Sequence, residues 1–377
     1  MHRLVPAALA TAIAATLFAA GAAPAAPPGD RYTVTGLVSD VPGMAATTDS
    51  NVHNAWGLAR SASSPWWFSD NATADASVYT GDGTLVAIGG QNAQGVPGAP
   101  TGAVFSGIPG QFQVGTTASP TVLAQSNFIF ASEDGTISAW RPGSTSALVT
   151  VDMASSGAVF KGLAISNGPS GPRLYATDFA NGVVDVFDGG WNPVHVPGAF
   201  VDRHLPKGFA PFGIQTIGDR VFVTYGKQQA GSHDEAHGRG LGAVDVFNLD
   251  GKLLGRVAQH GQLNAPWGLA WAPASFGRFG NDLLVGNFGD GQINAYAEKH
   301  GRFEHRGTLR AAGHGKLTID GLWALEFGNS GSNGDPQTLF FTAGPNDEAD
   351  GLFGTIKRPG RRGTGSRWSD HVAGVLA

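Results

Sequence analysis

A unit that recurs about every 55 residues, several short apolar runs inside each copy, and no sustained helical spacing predict an all-β chain folded as a six-bladed β-propeller. The clearest copy is Asn264–Tyr296. It holds three runs (Trp267–Ala272, Leu283–Asn287 and Gln292–Tyr296), each bounded by Gly, Asn, Asp or Pro, the spacing of a small antiparallel meander.

The first run recurs as Asn54-Ala-Trp-Gly-Leu-Ala, Phe160-Lys-Gly-Leu-Ala-Ile, Ala210-Pro-Phe-Gly-Ile-Gln and Ile319-Asp-Gly-Leu-Trp-Ala-Leu, and is read as the innermost strand of each blade. The second run, rich in β-branched and aromatic residues, recurs from Trp66, Phe128, Leu174, Val221 and Leu339. The third opens on turns such as Asp134-Gly, Asn181-Gly, Asp290-Gly and Asp350-Gly, which supply the positive φ that tight hairpins need. Its closing residues, Tyr79, Trp140, Phe187, Phe247, Tyr296 and Ile356, are separated by 61, 47, 60, 49 and 60 residues. Blade 2 is the weak copy, and its inner strand is expected within Phe112–Leu123. The alternating segment Tyr32–Val41 is expected to pair with blade 6 and close the ring, since an open ring leaves two sheet edges bare. A two-sheet sandwich is the competing architecture.

Composition agrees with one turn-rich globular domain. There are 57 Gly and 22 Pro among 377 residues, yet 42% of the chain is apolar, which sets it apart from disordered sequences. Net charge is −5 and the basic residues are scattered, so nucleic acid is not an expected partner. With no cysteine, disulfides, thiolate metal sites and a cysteine nucleophile are excluded. Residues 1–25 read as an export signal: Arg3 precedes an apolar stretch over Ala7–Ala20, and cleavage is expected after Ala22 or Ala25. That stretch falls short of the ~20 residues that span a bilayer, and no other segment is apolar enough. The propeller is assigned to 31–357, with a solvated Gly/Arg-rich tail over 358–377 and a secreted product.

In a propeller the starts of the inner strands gather around one mouth of the axial channel. Here those positions hold Asn54, Lys161, Phe212, Asn264 and Asp320, and the ends of the second strands add Asp70, Asn71, Glu133, Asp178, Lys227 and Asn287. Asn54, Lys161, Asn264, Asp320, Asp70, Asn71, Asp178 and Asn287 are the candidate ligand-binding set. Such oxygen-rich side chains could hold Ca²⁺ or another divalent metal; the alternative is that each caps its own turn.

Two loops depart from the repeat. Lys227–Gly240 inserts His233, Asp234, Glu235 and His237 into blade 4, outside any helical metal motif. Thr342–Gly351 offers Asp347, Glu348 and Asp350 as a candidate metal set, although the spacing is not that of a twelve-residue calcium loop; Glu348 could instead accept hydrogen bonds within the turn. No G-x-S-x-G or comparable nucleophile setting occurs. Trp56, Trp267 and Trp323 are expected to pack between blades rather than to stack on a sugar.

The motifs N-A-P-W-G-L-A, L-L-V-G-N-F-G-D-G-Q-I-N-A-Y, F-I-F-A-S-E-D-G-T-I-S-A-W and F-F-T-A-G-P-N-D-E-A-D-G-L-F-G resemble those of an uncharacterised family of exported bacterial propeller proteins, over about Val38 to Ile356. More distantly, the blades are similar to N-H-L repeats and to the gluconolactonase and regucalcin lactonases. The first resemblance implies six blades and export. The second implies a divalent metal in the channel, with Asn54 standing where that pattern has an acidic residue. The functional expectation is a module binding a small molecule, carbohydrate or protein at the channel mouth, without catalysis. The competing expectations are a metal-dependent hydrolase or lyase and a surface adhesion protein.

Overall fold

The computed structural model describes residues 31–313 and 315–359; the signal segment and all but the first two residues of the tail lie outside them. Six sheets of three to six strands are arranged around an axis, with a small two-stranded ribbon beside them. Counted outward from the axis, blade 1 is Ala55–Ala59, Trp66–Asp70, Asp75–Tyr79 and Ala93–Gly95, and blade 5 is Pro266–Trp271, Leu283–Asn287, Ile293–Lys299 and Arg302–Thr308. Blade 4 has the same plan: Phe209–Ile217, Arg220–Gln228, Gly242–Asn248 and Leu253–Gln259. Blade 3 stops at three strands: Phe160–Gly168, Gly171–Asp178 and Val183–Asp188.

Blade 6 (Leu322–Phe327, Leu339–Ala343, Leu352–Lys357) takes its fourth strand from the start of the described chain. Arg31–Ser39 runs antiparallel to Leu352–Lys357, with Val34 opposite Ile356, and so closes the ring as expected.

Blade 2 differs from the sequence reading. Its inner strand is Pro100–Phe105, followed by Phe128–Ser132, Thr136–Trp140 and Leu148–Asp152. The stretch 112–123 belongs instead to an insertion between the first two strands. There Gln113–Val114 pairs with Ala124–Gln125, and the Phe112 amide donates to Gly189 O of blade 3. The true inner strand has Thr101 where blades 1, 4, 5 and 6 have an aromatic residue, but its Thr101-Gly102-Ala103 keeps the glycine found in every other copy except blade 6.

That glycine has a steric cause. Neighbouring inner strands approach so closely that a Cβ on Gly213 would lie 2.2 Å from Trp267 O, and one on Gly102 would lie 2.3 Å from Leu163 N. Blade-to-blade hydrogen bonds lock the approach: Thr101 Oγ1 donates to Phe160 O at 2.8 Å, and Thr177 Oγ1 donates to Phe212 O at 2.7 Å. Between successive blades lie the apolar clusters that hold the ring. Phe222, Val244 and Leu283 pack between blades 4 and 5, and Phe276, Leu284 and Phe341 between blades 5 and 6. Alternation along each strand supplies both faces, so every blade is a shared wall of two cores.

Candidate functional site

The residue just before each inner-strand glycine points at the axis: Trp56, Thr101, Lys161, Phe212 and Trp267, with Trp323 before Ala324 in blade 6. All six are buried. Trp56 stacks on Trp323 with ring centroids 3.5 Å apart, Trp267 meets both edge-on at 6.2 and 5.8 Å, and Phe288 stacks on Trp323 at 3.9 Å. The three tryptophans thus occupy equivalent places but pack on one another across the axis, not between blades. They plug the channel, because six converging strands bring them within ring contact.

Above this plug runs a chain of side-chain hydrogen bonds across four blades. Trp323 Nε1 donates to Asn54 Oδ1 at 3.1 Å; Asn54 Nδ2 donates to Glu348 Oε2 at 2.7 Å and to Asn71 Oδ1 at 3.3 Å. Asn71 Nδ2 donates to Glu133 Oε2 at 3.1 Å, and Glu133 Oε1 accepts from Lys161 Nζ at 2.5 Å. Asp234 Oδ1 lies 3.9 Å from the same ammonium, which also sits 5.1 Å from the centre of the Trp56 ring. Burial opposes the charge on Lys161, yet Glu133, Glu235 and Asp234 outweigh it and hold the pKa above its ordinary value. Beside the chain, His237 Nε2 lies 3.2 Å from Glu235 Oε1, with the imidazole edge-on to Phe288. The bond to Glu235 raises the His237 pKa against desolvation, with Glu348 and Asp347 adding to it.

Glu348 reaches Asn54 from a backbone held in the left-handed region at three successive residues, Asn346, Asp347 and Glu348 (φ 58, 52 and 65°). Asn and Asp tolerate that region, whereas for Glu348 it costs roughly 1–2 kcal/mol. The turn is fastened by Asn346 N donating to Asp320 Oδ2 at 2.8 Å and by Asn346 Nδ2 donating to Asp350 Oδ2 at 2.5 Å. Desolvation raises the Glu348 pKa; the bond from Asn54 opposes it, and the carboxylates of Glu235 and Glu133 reinforce it.

Of the sequence-selected residues, Asn54, Asn71 and Lys161 come together in the network. Asn264 serves it indirectly: its Oδ1 accepts from Gly238 N at 2.7 Å and ties down the insertion that bears Glu235 and His237. Asp320 is exposed and holds the Glu348 turn. Asp178 and Asn287 cap their own turns, through Asn181 N to Asp178 Oδ1 at 3.1 Å and Asn287 Nδ2 to Asp290 Oδ1 at 3.0 Å. Asp70 is wholly buried at the end of its strand, its pKa pushed well up by desolvation.

The inner-strand positions also form two layers rather than one ring. Lys161 and Phe212 match Trp56, whereas Asn54, Asn264 and Asp320 precede the axial residue by two or three places. Glu133, Glu235 and His237 complete the mouth. The signal for Glu133 in the sequence was its repeated position at the end of a second strand, and for Glu235 and His237 it was their place in an irregular loop.

The metal set Asp347, Glu348 and Asp350 is not assembled, because the twisted turn sends Glu348 to Asn54 and Asp350 to Asn346. Among the described residues no group of three His, Asp or Glu is placed to hold an ion. Where the lactonase resemblance implies a divalent cation, the carboxylates gather around the Lys161 ammonium, so these residues as placed do not fit a metal. Among the described residues no helix is long and apolar enough to cross a membrane.

In fold, the chain is similar to a streptogramin B lyase (TM-score 0.50, 12% identity, 88% of this chain and 99% of that one) and to the soluble aldose sugar dehydrogenase of Escherichia coli (TM-score 0.51, 11% identity, 87% and 100%). These likenesses show a shared architecture only. No family model matches. In sequence, the chain is 32% identical to Uncharacterized protein R648 of Acanthamoeba polyphaga mimivirus over 331 residues, 85% of this chain and 78% of that protein. It is 29% identical to Uncharacterized protein L690 of the same virus, over 86% of this chain and 85% of that one. These relatives are viral, in contrast to the bacterial family that the motifs suggested. With that identity spanning nearly the whole propeller, the chain belongs to the family of these mimivirus proteins.

Proposed function

We propose that the mouth above the tryptophan plug binds a small polar ligand rich in hydroxyl or amine donors. The observation that carries this reading is the unbroken path Trp323–Asn54–Asn71–Glu133–Lys161, joined by a Glu348 held in strained backbone. Strain of this kind survives only where surrounding contacts over-determine it, and it gathers at ligand sites. Carboxylates outnumber cations here, so acceptor oxygens face the ligand, with the Lys161 charge fixed beneath them. The test is a thermal-shift screen against polyols, amino sugars and polyamines. A ligand at a hundred times its Kd adds about 2.7 kcal/mol of stability, and Glu348→Gln or Lys161→Met should remove the shift while the variants remain folded. A screen without any shift, or shifts untouched by both substitutions, refutes the assignment.

A second reading, acid–base chemistry on the bound ligand, rests on the raised pKa of both Glu348 and His237. It expects turnover that Glu348→Gln abolishes and that survives chelation. Export is part of the proposal as well: mass spectrometry of the mature product should place its first residue at Ala23 or Ala26.

A further inference from the structure

Blades 3 and 4 carry the same third-strand motif, Val184-Asp185-Val186-Phe187 and Val244-Asp245-Val246-Phe247. In blade 4 the fourth strand covers it. Arg256 stands opposite Asp245, its Nε bonded to that carboxylate and its Nη2 to Asp202, all well shielded from solvent. Blade 3 has no fourth strand. The following chain meets Val183–Asp188 only at its lower end, where Val194 N donates to Val186 O and Phe187 bridges Pro193.

Alongside the upper half lies a groove of about 350 Å³, lined by Met153, Val183, Asp185, Val196 and Phe200 among others. Val183, Val196 and Val201 remain 46, 43 and 52% exposed. Asp185 Oδ2 is shut off from solvent and has no hydrogen-bond partner among the described residues. Asp245 Oδ2 in blade 4 is likewise unpartnered, but there the other oxygen, Oδ1, is bonded to Arg256, whereas among the described residues blade 3 brings no cation to Asp185. An edge strand with free backbone groups, apolar flanks and a buried, unanswered carboxylate has the form of a strand acceptor.

We propose that this groove takes an extended peptide segment of a partner protein, apolar at alternate positions and carrying an arginine that reaches Asp185, as the fourth strand of blade 3. Leu253–Gln259 is the internal template for both the backbone pairing and the arginine. The charge complement is specific, since the planar guanidinium directs fixed N–H donors, as Arg256 does with Nε to Asp245 and Nη2 to Asp202, an arrangement that the single ammonium of a lysine does not reproduce.

The probe is a fluorescein-labelled synthetic peptide with the sequence of Gly251–His260, titrated with the whole protein by fluorescence polarisation. Saturable binding is expected, weakened about tenfold or more by Arg→Glu in the peptide and by Asp185→Asn in the protein, the loss of one buried charge-assisted pair. Val196→Lys, on the exposed flank, should weaken it too, and decides the matter if Asp185→Asn melts abnormally. Absence of saturable binding, or binding indifferent to both substitutions, overturns the proposal. So does concentration-dependent dimerisation of the protein alone that Val196→Lys abolishes, which would give the groove to a second copy.

Discussion

The two mouths of the channel are built from the same six inner strands and differ in almost everything else. Before the glycine ring, Asn54 and Lys161, met by Glu133 and Glu348 from neighbouring loops, form a cross-blade network. After it, Leu58, Ala103, Ile165 and Gln215 line a recess of about 180 Å³ with mixed polar and apolar walls, which holds the ion pair of Arg60 with Glu326, 3.3 Å apart. The difference teaches that the glycine ring sets the approach of the strands, while the residue types on either side of it decide which mouth is charged.

Breaking the shared frame should have the largest effect. Gly213→Val puts a branched side chain 2.2 Å from Trp267 O, and a loss of about 3 kcal/mol or more is expected, read by denaturant melts. Both mouths should fail together; retention of either one would separate them from the ring.

Next comes the contrast between the ion pairs. Lys161 keeps 2% of its side-chain surface, whereas Arg60 and Glu326 keep 17 and 25%. Lys161→Met should cost about 3 kcal/mol, since it strands partly buried carboxylates, and Arg60→Met about 1 kcal/mol. Equal losses in paired unfolding curves would contradict the ranking.

Acidity sharpens the comparison further. Burial pushes the Glu326 carboxyl up to about 7, against the opposing charge of Arg60, although water reaching a quarter of its side chain screens the effect. A folded-state pKa above the unfolded value means that the native protein binds the extra proton. The stabilisation is therefore complete below about 4.5 and is lost as pH rises through about 7. Glu348 and His237 act in the same direction. The wild-type melting temperature should fall over that interval, and Glu326→Gln should flatten the lower mouth's share; a rise instead would reverse the sign of the argument.

The smallest effect is expected from Asn71→Ala, which cuts the path between Asn54 and Glu133 at about 1 kcal/mol. Its melting change should be slight and its loss of ligand-induced shift large.

Much of the architecture was legible because the blade is a local object. Turn pairs such as Asp290-Gly291, the aromatic runs and the even spacing of Tyr79 through Ile356 arise from short-range backbone and burial demands. Blade 2 escaped because Thr101-Gly102-Ala103 retains only the glycine and is followed by a long insertion. The mouth was half legible. Asn54, Asn71 and Lys161 could be found by position, whereas Asp70 and Asp178 shared the same position and turned inward or to their own hairpins.

The sequence by itself determined the number of blades and the strand that closes them, since repeats and motifs are written in consecutive residues. Only the tertiary structure decided that Lys161 faces Glu133, that Glu348 bends to Asn54, and that three tryptophans shut the axis. Those partners are brought together by rotation about a common axis, and a side chain's neighbours across a closed ring depend on the angle between blades, which no local pattern encodes.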